Sequence, residues 1–401
     1  LLVSPRKRRR VLIIVENLPV PFDRRVWLEA TTLRDAGYEV TVICPQMKHY
    51  TTPHEVLEGI EIYRHPLPIE AESGALGFLI EYSIAFFWEL VLAWRVFLRK
   101  GFDILHACNP PDNIFLIALT FRPFGVRFVF DQHDINPELY IAKYGKKGPL
   151  YYVLCALERM TFATAHLVIS TNESYRKIAL ERGKKSPERV HIVRSAPDTS
   201  KFRPVEPSPE LKEGRPYMVA YVGVMGKQEG IDLLLEAIRI IVHEKGRTDI
   251  LFVLIGSGPE HANMERLARE WGLADHVRFT GRIPDADLLR YLSTADVCVN
   301  PDRVNEMNNK STMNKIMEYM AVGKPIVQFD MTEGRYSAQE ASLYAKPNDA
   351  RDFAEKILEL LADPERRAAM GAFGRRRMEE ALDWRYSREA LLRAYQTLDE
   401  L

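Results

Sequence analysis

Short apolar runs and amphipathic stretches take turns along this chain. Residues 11–15 form a β-rich run, and Asp23 can cap a helix from Arg24 to about Ala36 that Gly37 closes. Residues 39–44 supply the next strand, which Pro45 ends, and 60–64, 104–106, 127–131 and 167–170 are later strand candidates. Strands spaced by helices in this way predict a mostly parallel sheet covered on both faces.

The beat breaks at Pro197, Pro204, Pro207, Pro209 and Pro216, in an otherwise polar stretch that predicts a linker or domain edge. It then restarts. Strands are predicted over 217–222, 250–255, 277–280, 297–300, 325–329 and 342–345, and helices over 231–242, 260–270, 285–292, 312–321 and 350–361. The simplest account is an α/β chain of two doubly wound domains, 1–200 and 201–383. Sheets of this kind bind ligands outside the C-terminal ends of their strands. With two such units facing each other, the expected active site is the cleft between them.

Composition changes this picture little. Apolar residues make up 46% of 401, enough for sizeable cores, and 55 acidic side chains balance 55 basic ones. The overall charge therefore names no partner, and nucleic acid is not expected. Locally, Arg6, Lys7, Arg8, Arg9 and Arg10 form a basic cluster that is either a solvated tail or an attractor of anionic lipid. Cys44, Cys108, Cys155 and Cys298 have neither disulfide nor zinc-ligand spacing, so a reducing, cytoplasmic compartment is expected. The basic stretch runs into a strand, not a long apolar helix, so no signal peptide is expected.

Residues 76–98 come nearest to a membrane span, but Glu81, Glu89 and Arg95 are expensive in hydrocarbon. The segment is rich in aromatics, among them Phe78, Phe87, Trp88, Trp94 and Phe97. It reads as a buried helix or as a surface helix resting on a membrane. Tyr140, Lys143, Tyr144, Lys146, Lys147, Tyr151 and Tyr152 interleave cations with aromatics. That pattern suits an anionic membrane interface or an ordinary helix exterior.

Candidate chemistry concentrates at predicted strand ends. Ser311 and Thr312 sit where a helix should start, and can cap it or touch an anion there; Lys315 and Glu318 follow on one helical face. Together they offer a cation for phosphate and a carboxylate for ribose hydroxyls, or else a plain surface salt pair. In the loop 221–230, Gly223 and Gly226 let backbone approach a ligand, and Lys227 can neutralise phosphate. Gly256 opens a third strand-end turn. His261 stands where G-x-G-x-x-G would need its last glycine, which argues against a standard NAD site. Arg282 and Ile283 offer a backbone amide and carbonyl to the edge of a base.

In the first half, His133 follows an apolar strand and is either structural or part of the reaction, with Asp134 a candidate to fix its tautomer. Arg24 or Arg25 can reach phosphates or lie on the surface. Glu16 and Asn17 are candidate acceptor contacts.

Taken together, these pieces resemble the retaining glycosyltransferase family GT4, in its bacterial surface-polysaccharide branch. The resemblance rests on the run from Pro21 to Ala30, then Leu33, Gly37 and 40–45, with 311–315, 318–321 and 323–325 in the second half. It implies the GT-B fold, two Rossmann-like domains with the nucleotide-diphosphate sugar, a co-substrate, held by the C-terminal one. It also implies no required metal, and a last helix, 384–401, packing back on the first domain. The family's distal nucleotide-binding glutamate maps onto Glu318, and its catalytic-region histidine onto His133.

The sequence departs from the family at Lys310, where the signature has its first glutamate, Glu306 being out of register. It departs again at Val224 and Glu229, where a phosphate-loop Arg and Lys are usual. Lys227 and Lys315 are left to serve the diphosphate. The implied reaction moves a hexosyl or N-acetylhexosaminyl unit, from a UDP-sugar for preference, to a glycan or polyprenyl-diphosphate-linked acceptor. Its implied place is the inner face of the cytoplasmic membrane, with peripheral contact. A non-hydrolysing UDP-sugar epimerase and a catalytically silent nucleotide-sugar-binding homologue are the rival readings.

Overall fold

Asp23 opens the first helix: its carboxylate accepts from Val26 N at 3.0 Å, satisfying one of the amides that a helix start leaves unpaired. Asn172, Asp349 and Asp363 cap later helices in the same way. The computed structural model describes residues 9–47, 49–67 and 75–400, without the side chains of 75–81. Arg6, Lys7, Arg8, Phe78 and Glu81 therefore lie outside what is described.

The chain divides into two compact units, Leu1–Arg194 with Ser387–Leu401, and Ser195–Tyr386. The first unit runs β1 (Arg10–Val15), α1 (Arg24–Asp35), β2 (Glu39–Pro45), β3 (His54–Leu57), β4 (Ile60–His65) and α2 (Ala75–Arg99). It continues with β5 (Ile104–Cys108), α3 (Phe115–Phe121), β6 (Arg127–Gln132), α4 (Asn136–Tyr144) and α5 (Pro149–Thr164). β7 (Leu167–Ser170), α6 (Glu173–Glu181) and β8 (Val190–Ile192) follow. Its eight strands lie in the order β3-β4-β2-β1-β5-β6-β7-β8, and β1 sits beside both β2 and β5, so the order reverses there.

All these pairs are parallel except β3–β4, a hairpin turned by Glu58 and Gly59, both at positive φ. The sequence reading missed β3. It is short, and its residues are all half-buried or exposed, so it carries no apolar run.

The second unit runs β9 (Tyr217–Val222), α7 (Ile231–Arg239), β10 (Ile250–Ile255), α8 (His261–Glu270), β11 (Val277–Gly281), α9 (Asp285–Thr294) and β12 (Val297–Asn300). Next come α10 (Glu306–Lys310), α11 (Asn314–Ala321), β13 (Ile326–Phe329), α12 (Thr332–Ala338) and β14 (Ser342–Ala345). α13 (Ala350–Ala362) and α14 (Pro364–Arg377) complete it, and α15 (Trp384–Glu400) ends the chain. The parallel strand order is β11-β10-β9-β12-β13-β14, with its reversal between β9 and β12.

Alternation along β9 shows why both faces are covered. Val219 and Tyr221 join a core with Leu234 and Ile238 of α7 and Phe353 and Ile357 of α13. Met218 and Ala220 join a second core with Leu292 of α9 and Ile316 and Met320 of α11. A strand buried on both sides reads as continuously apolar, which is why its place was visible in the sequence. All four cysteines are free, and among the described residues no helix is long and apolar enough to cross a membrane.

Candidate active site

In the second unit, the reversal between β9 and β12 places several loops at the same edge of the sheet. β9 ends at Val222, and Gly223 N donates to Ile255 O at 3.0 Å, holding the turn against the end of β10. Gly256 has φ +132, and a Cβ there would lie 1.8 Å from Gly223 O, which is backbone and cannot move aside. Gly256 N donates in turn to Gly281 O at 2.9 Å. Gly223, Gly256 and the Gly281–Arg282–Ile283 turn are thus neighbours. Arg282 is exposed, whereas Ile283 packs against the core.

Lys315, on the first turn of α11, comes to the same place. A Cβ on Gly223 would lie 3.2 Å from its Cε, and its Nζ sits 5.1 Å from the ring centroid of Tyr221. Its ionic partner is Asp302, two residues past β12, with Nζ donating to Oδ1 at 2.7 Å. The pair is nearly enclosed, at 11% and 2% side-chain exposure. Burial opposes the charge on Lys315, yet Asp302, Tyr221 and Glu229 outweigh it and hold the ammonium above its ordinary value. Burial lifts the Asp302 carboxyl above its ordinary range, against the pull of Lys315. Lys315, expected to serve the diphosphate, thus already shares its charge with a carboxylate. Asp302 was not singled out from the sequence, although a charged residue just past an apolar strand was the available signal.

The helix start expected at Ser311 and Thr312 needs correcting. α11 begins at Asn314, with no side-chain cap from Met313. The shift comes from α10, which Asn305 caps by accepting from Asn308 N at 2.9 Å. Ser311 closes that short helix, its Oγ donating to Met307 O at 2.8 Å, and does not cap the next. Lys310 pairs with Glu306 at 2.7 Å, one helical turn back. Glu318 lies half-buried one turn on from Lys315.

The loop between β9 and α7 is tied down by its own residues. Gly226 N donates to Glu229 Oε2 at 3.1 Å, and Asn308 Nδ2 donates to Gln228 O at 3.1 Å. Lys227 projects from this loop and is exposed, while its carbonyl accepts from Arg303 Nε at 3.2 Å. Glu229 is therefore a buttress of the glycine turn, and its burial raises its carboxyl above the ordinary range.

In the first unit, the ends of β5 and β6 and the first turn of α1 build a second polar cluster. Asp131 Oδ2 lies 2.6 Å from His133 Nε2, so the partner that fixes the histidine is Asp131 and not the adjacent Asp134. Asp134 is turned to Asn109, its carbonyl accepting from Nδ2 at 2.8 Å. Arg25 does not reach outward. It is buried, 2.9 Å from Asp131 Oδ1 and 3.0 Å from Glu29 Oε1, and donates to Val193 O at 2.7 Å. Arg24 is exposed, Glu16 buried and Asn17 exposed.

Burial would raise the Asp131 carboxyl, but Arg25 and His133 outweigh it and hold it well below the ordinary range. Burial pushes Glu29 well above that range, so Glu29 is the neutral member beside the Arg25–Asp131 ion pair. Arg25 Nε also lies 3.0 Å from His133 Nε2, and one nitrogen cannot donate to Asp131 and accept from Arg25 at once. The shorter contact, to an ionised carboxylate, assigns a proton to Nε2 and leaves Nδ1 to face other partners. His106, fixed by Tyr395 Oη at 2.8 Å from its Nδ1, stands 3.4 Å from Asp131 on its other nitrogen. Glu29, His106, Cys108 and Asp131 place potential metal donors within 4.8 Å of one another. The guanidinium of Arg25 already supplies the positive charge there, and a divalent ion would have to sit against it.

Comparison with known proteins fits this geometry. Residues 23–196 match the family described as "Glycosyl transferase 4-like domain", and 216–363 match "Glycosyl transferases group 1", together well over half of the chain. The chain is 28% identical over 303 residues to an alpha-maltose-1-phosphate synthase from Mycolicibacterium smegmatis, covering 68% of this chain and 73% of that one. A GDP-mannose-dependent monoacylated alpha-(1-6)-phosphatidylinositol monomannoside mannosyltransferase from Corynebacterium glutamicum is 28% identical over 173 residues, 42% of this chain. That match spans only 44% of the mannosyltransferase, less than half its length. A sucrose-phosphate synthase from Thermosynechococcus elongatus superposes with a TM-score of 0.80 at 20% identity, over 98% of this chain and 100% of that one, which shows the GT-B fold. The chain belongs to the GT4-type glycosyltransferases.

Proposed function

We propose that the chain is a retaining glycosyltransferase, taking a hexosyl or N-acetylhexosaminyl unit from a nucleotide-diphosphate sugar and passing it to a hydroxyl. The observation that carries this reading is the strand-end cluster of the second unit, where Gly223, Gly256 and Lys315 meet beside the β9–β12 reversal. Glycine turns admit a diphosphate to backbone amides, and Lys315 with the exposed Lys227 opposes the negative charge that grows on the departing group. No metal ion is needed for that task. The second unit, residues 201–383 of the expected division, takes the donor, and the first, residues 1–200 with the helix 384–401, takes the acceptor.

At the anomeric carbon the bond to the diphosphate oxygen breaks while the acceptor oxygen bonds from the same face, giving retention. Electrons of the broken bond stay on the diphosphate, whose departing oxygen takes the proton that the acceptor hydroxyl gives up. Asp131 orients His133, whose Nδ1 is available to the acceptor side. Glu318 serves the ribose, and Gly226, Arg282, Ile283, Ser311 and Thr312 complete the donor surroundings. The acceptor is a glycan or a polyprenyl-diphosphate-linked glycan at the inner face of an anionic cytoplasmic membrane, within surface-polysaccharide synthesis. A UDP-sugar is the donor to test first, against a GDP-sugar.

A His133→Ala enzyme should keep donor binding and lose turnover; an unchanged rate overturns the role of His133. Donor incubated without acceptor should be left intact or slowly hydrolysed. Conversion to an epimeric sugar nucleotide would replace this reading with that of an epimerase.

A further inference from the structure

Three helices of the first unit turn apolar stripes outward. Phe87, Val91 and Leu98 of α2, Leu116 and Leu119 of α3 and Leu150 and Val153 of α5 are all exposed, Phe87 at 58% and Leu98 at 78%. Their spacings follow single helix faces, so each stripe is continuous. The helices are also neighbours. The Trp94 ring lies 4.7 Å from Phe121 at the end of α3, and Phe97 lies 5.1 Å from Phe124 just beyond it. Thr161 of α5 donates to Asp112 O, ahead of α3, at 2.7 Å, and α3 packs on α5. An open groove runs along α2 past Leu90, Val91 and Trp94. Apolar surface of this extent is rarely left to water unless something covers it.

The charge around the patch says what does. Arg95 on α2, Arg122 just past α3, Lys146 and Lys147 just before α5 and Arg159 on α5 are all exposed. The described acids of these helices and of α4 all face inward: Glu89 is buried, and Glu138 and Glu158 are buried against Arg182. Tyr144 and Tyr152, amphipathic rings suited to a headgroup layer, are exposed beside the lysines. An apolar centre with exposed cations and, among the described residues of these helices, no outward carboxylate matches a layer of acyl chains beneath phosphates.

We infer that the α2–α3–α5 face of the first unit seats this chain on the surface of a bilayer that contains anionic phospholipids. The apolar stripes enter the headgroup boundary, and the arginines and lysines meet lipid phosphate. Such a seat gives a surface to the reading of a lipid-linked acceptor, on which it rests for its purpose and not for its evidence.

The test is flotation of the full chain with phosphatidylcholine vesicles, with and without about one-third phosphatidylglycerol. The chain should float with the anionic vesicles and stay behind with the neutral ones. A Val91→Glu, Leu98→Glu double variant should lose partition by about tenfold or more, both positions being exposed. Thermal shifts with a UDP- or GDP-sugar, read on the same samples, should not change in that variant. A loss of donor binding throughout would count against the transferase reading and leave the seat standing. Equal partition of the wild type into both vesicle types, or no effect of the double variant, overturns the seat. So does a dimer in sedimentation that the double variant splits into monomers, because a second copy would then be the cover.

Discussion

Lys315 Nζ and Asp302 Oδ1 lie 2.7 Å apart, and this contact governs how much positive charge the second unit can offer a diphosphate. An ammonium already facing a buried carboxylate has part of its charge offset. A ligand phosphate must share it, so Lys315 is held in place in advance but does not act as a full free charge.

Replacing Asp302 by Asn leaves Lys315 buried without its counter-ion. The expected cost without ligand is about 3–5 kcal/mol, the usual penalty for breaking a buried pair. A nucleotide diphosphate should then restore more stability to Asp302→Asn than to the wild type, because it supplies the missing anion. Thermal unfolding with and without UDP- and GDP-sugars reads this directly. Equal ligand-induced shifts in both proteins would place the diphosphate away from Lys315.

The Asp131–His133 contact makes a different prediction. In Asp131→Asn, Arg25 keeps Glu29 at 3.0 Å, and Glu29 loses the neighbouring charge that disfavours its ionisation. Glu29 can take over as counter-ion, so the fold should survive with a modest loss of Tm. His133, no longer held by an ionised carboxylate, should lose its tautomer preference, and kcat should fall by about a hundredfold with donor KM unchanged. A kcat within twofold of the wild type contradicts the assignment of Asp131 as the positioning residue.

Glu89 carries a pH prediction. It is fully buried on α2, both its carboxylate oxygens lack a hydrogen-bond partner, and burial with the nearby Glu16 charge holds its carboxyl well above 4.5. A raised acid loses its proton in the unfolded chain before it does in the folded one, so it subtracts stability as pH rises above the ordinary carboxyl range. Glu89→Gln removes that penalty and keeps the shape. Wild type and variant should melt alike near pH 4, and the variant should melt on the order of 5 °C higher at pH 8. A gap that does not widen with pH would mean that Glu89 is ionised in the folded protein.

Gly256→Ala tests the glycine turn. Its Cβ would overlap Gly223 O, so the two strand-end loops must separate, at a cost of about 2 kcal/mol or more and with loss of donor binding. Gly37→Ala is the control. Gly37 has φ +94 but nothing within 4 Å of a Cβ, so only backbone strain of about 1 kcal/mol applies. Similar losses in the two variants would show that φ alone, and not the close approach, dictates Gly256.

The parallel strands and most helices of both units were legible because strands buried on two faces are apolar throughout, as Ile250–Ile255 is. What escaped lacked that signature. β3 is an edge strand without a buried residue, and α10 is a five-residue helix that displaced the start of α11. Helix α7 holds α geometry only to Arg239 and relaxes into a π turn through Glu244, where a plain helix to 242 was expected.

In the sites, single residues were visible and their partners were not. His133 stood out at a strand end, but the Arg25 that shares Asp131 with it lies 106 residues before that aspartate, and Tyr395 lies 289 residues beyond His106. Helical spacing drew attention to Lys315 with Glu318. The fold instead brings Asp302 to Lys315 across a strand-to-helix connection, and spacing rules do not reach that far.

The central claim is that lysines at the strand ends of the second unit receive a sugar nucleotide's diphosphate. Calorimetric titration of UDP- and GDP-sugars into the wild type, Lys227→Ala and Lys315→Met measures this most directly. The account predicts binding to the wild type by at least one donor, weakened about tenfold or more in each lysine variant. Lysine variants that bind like the wild type, or no binding of any sugar nucleotide, would contradict it.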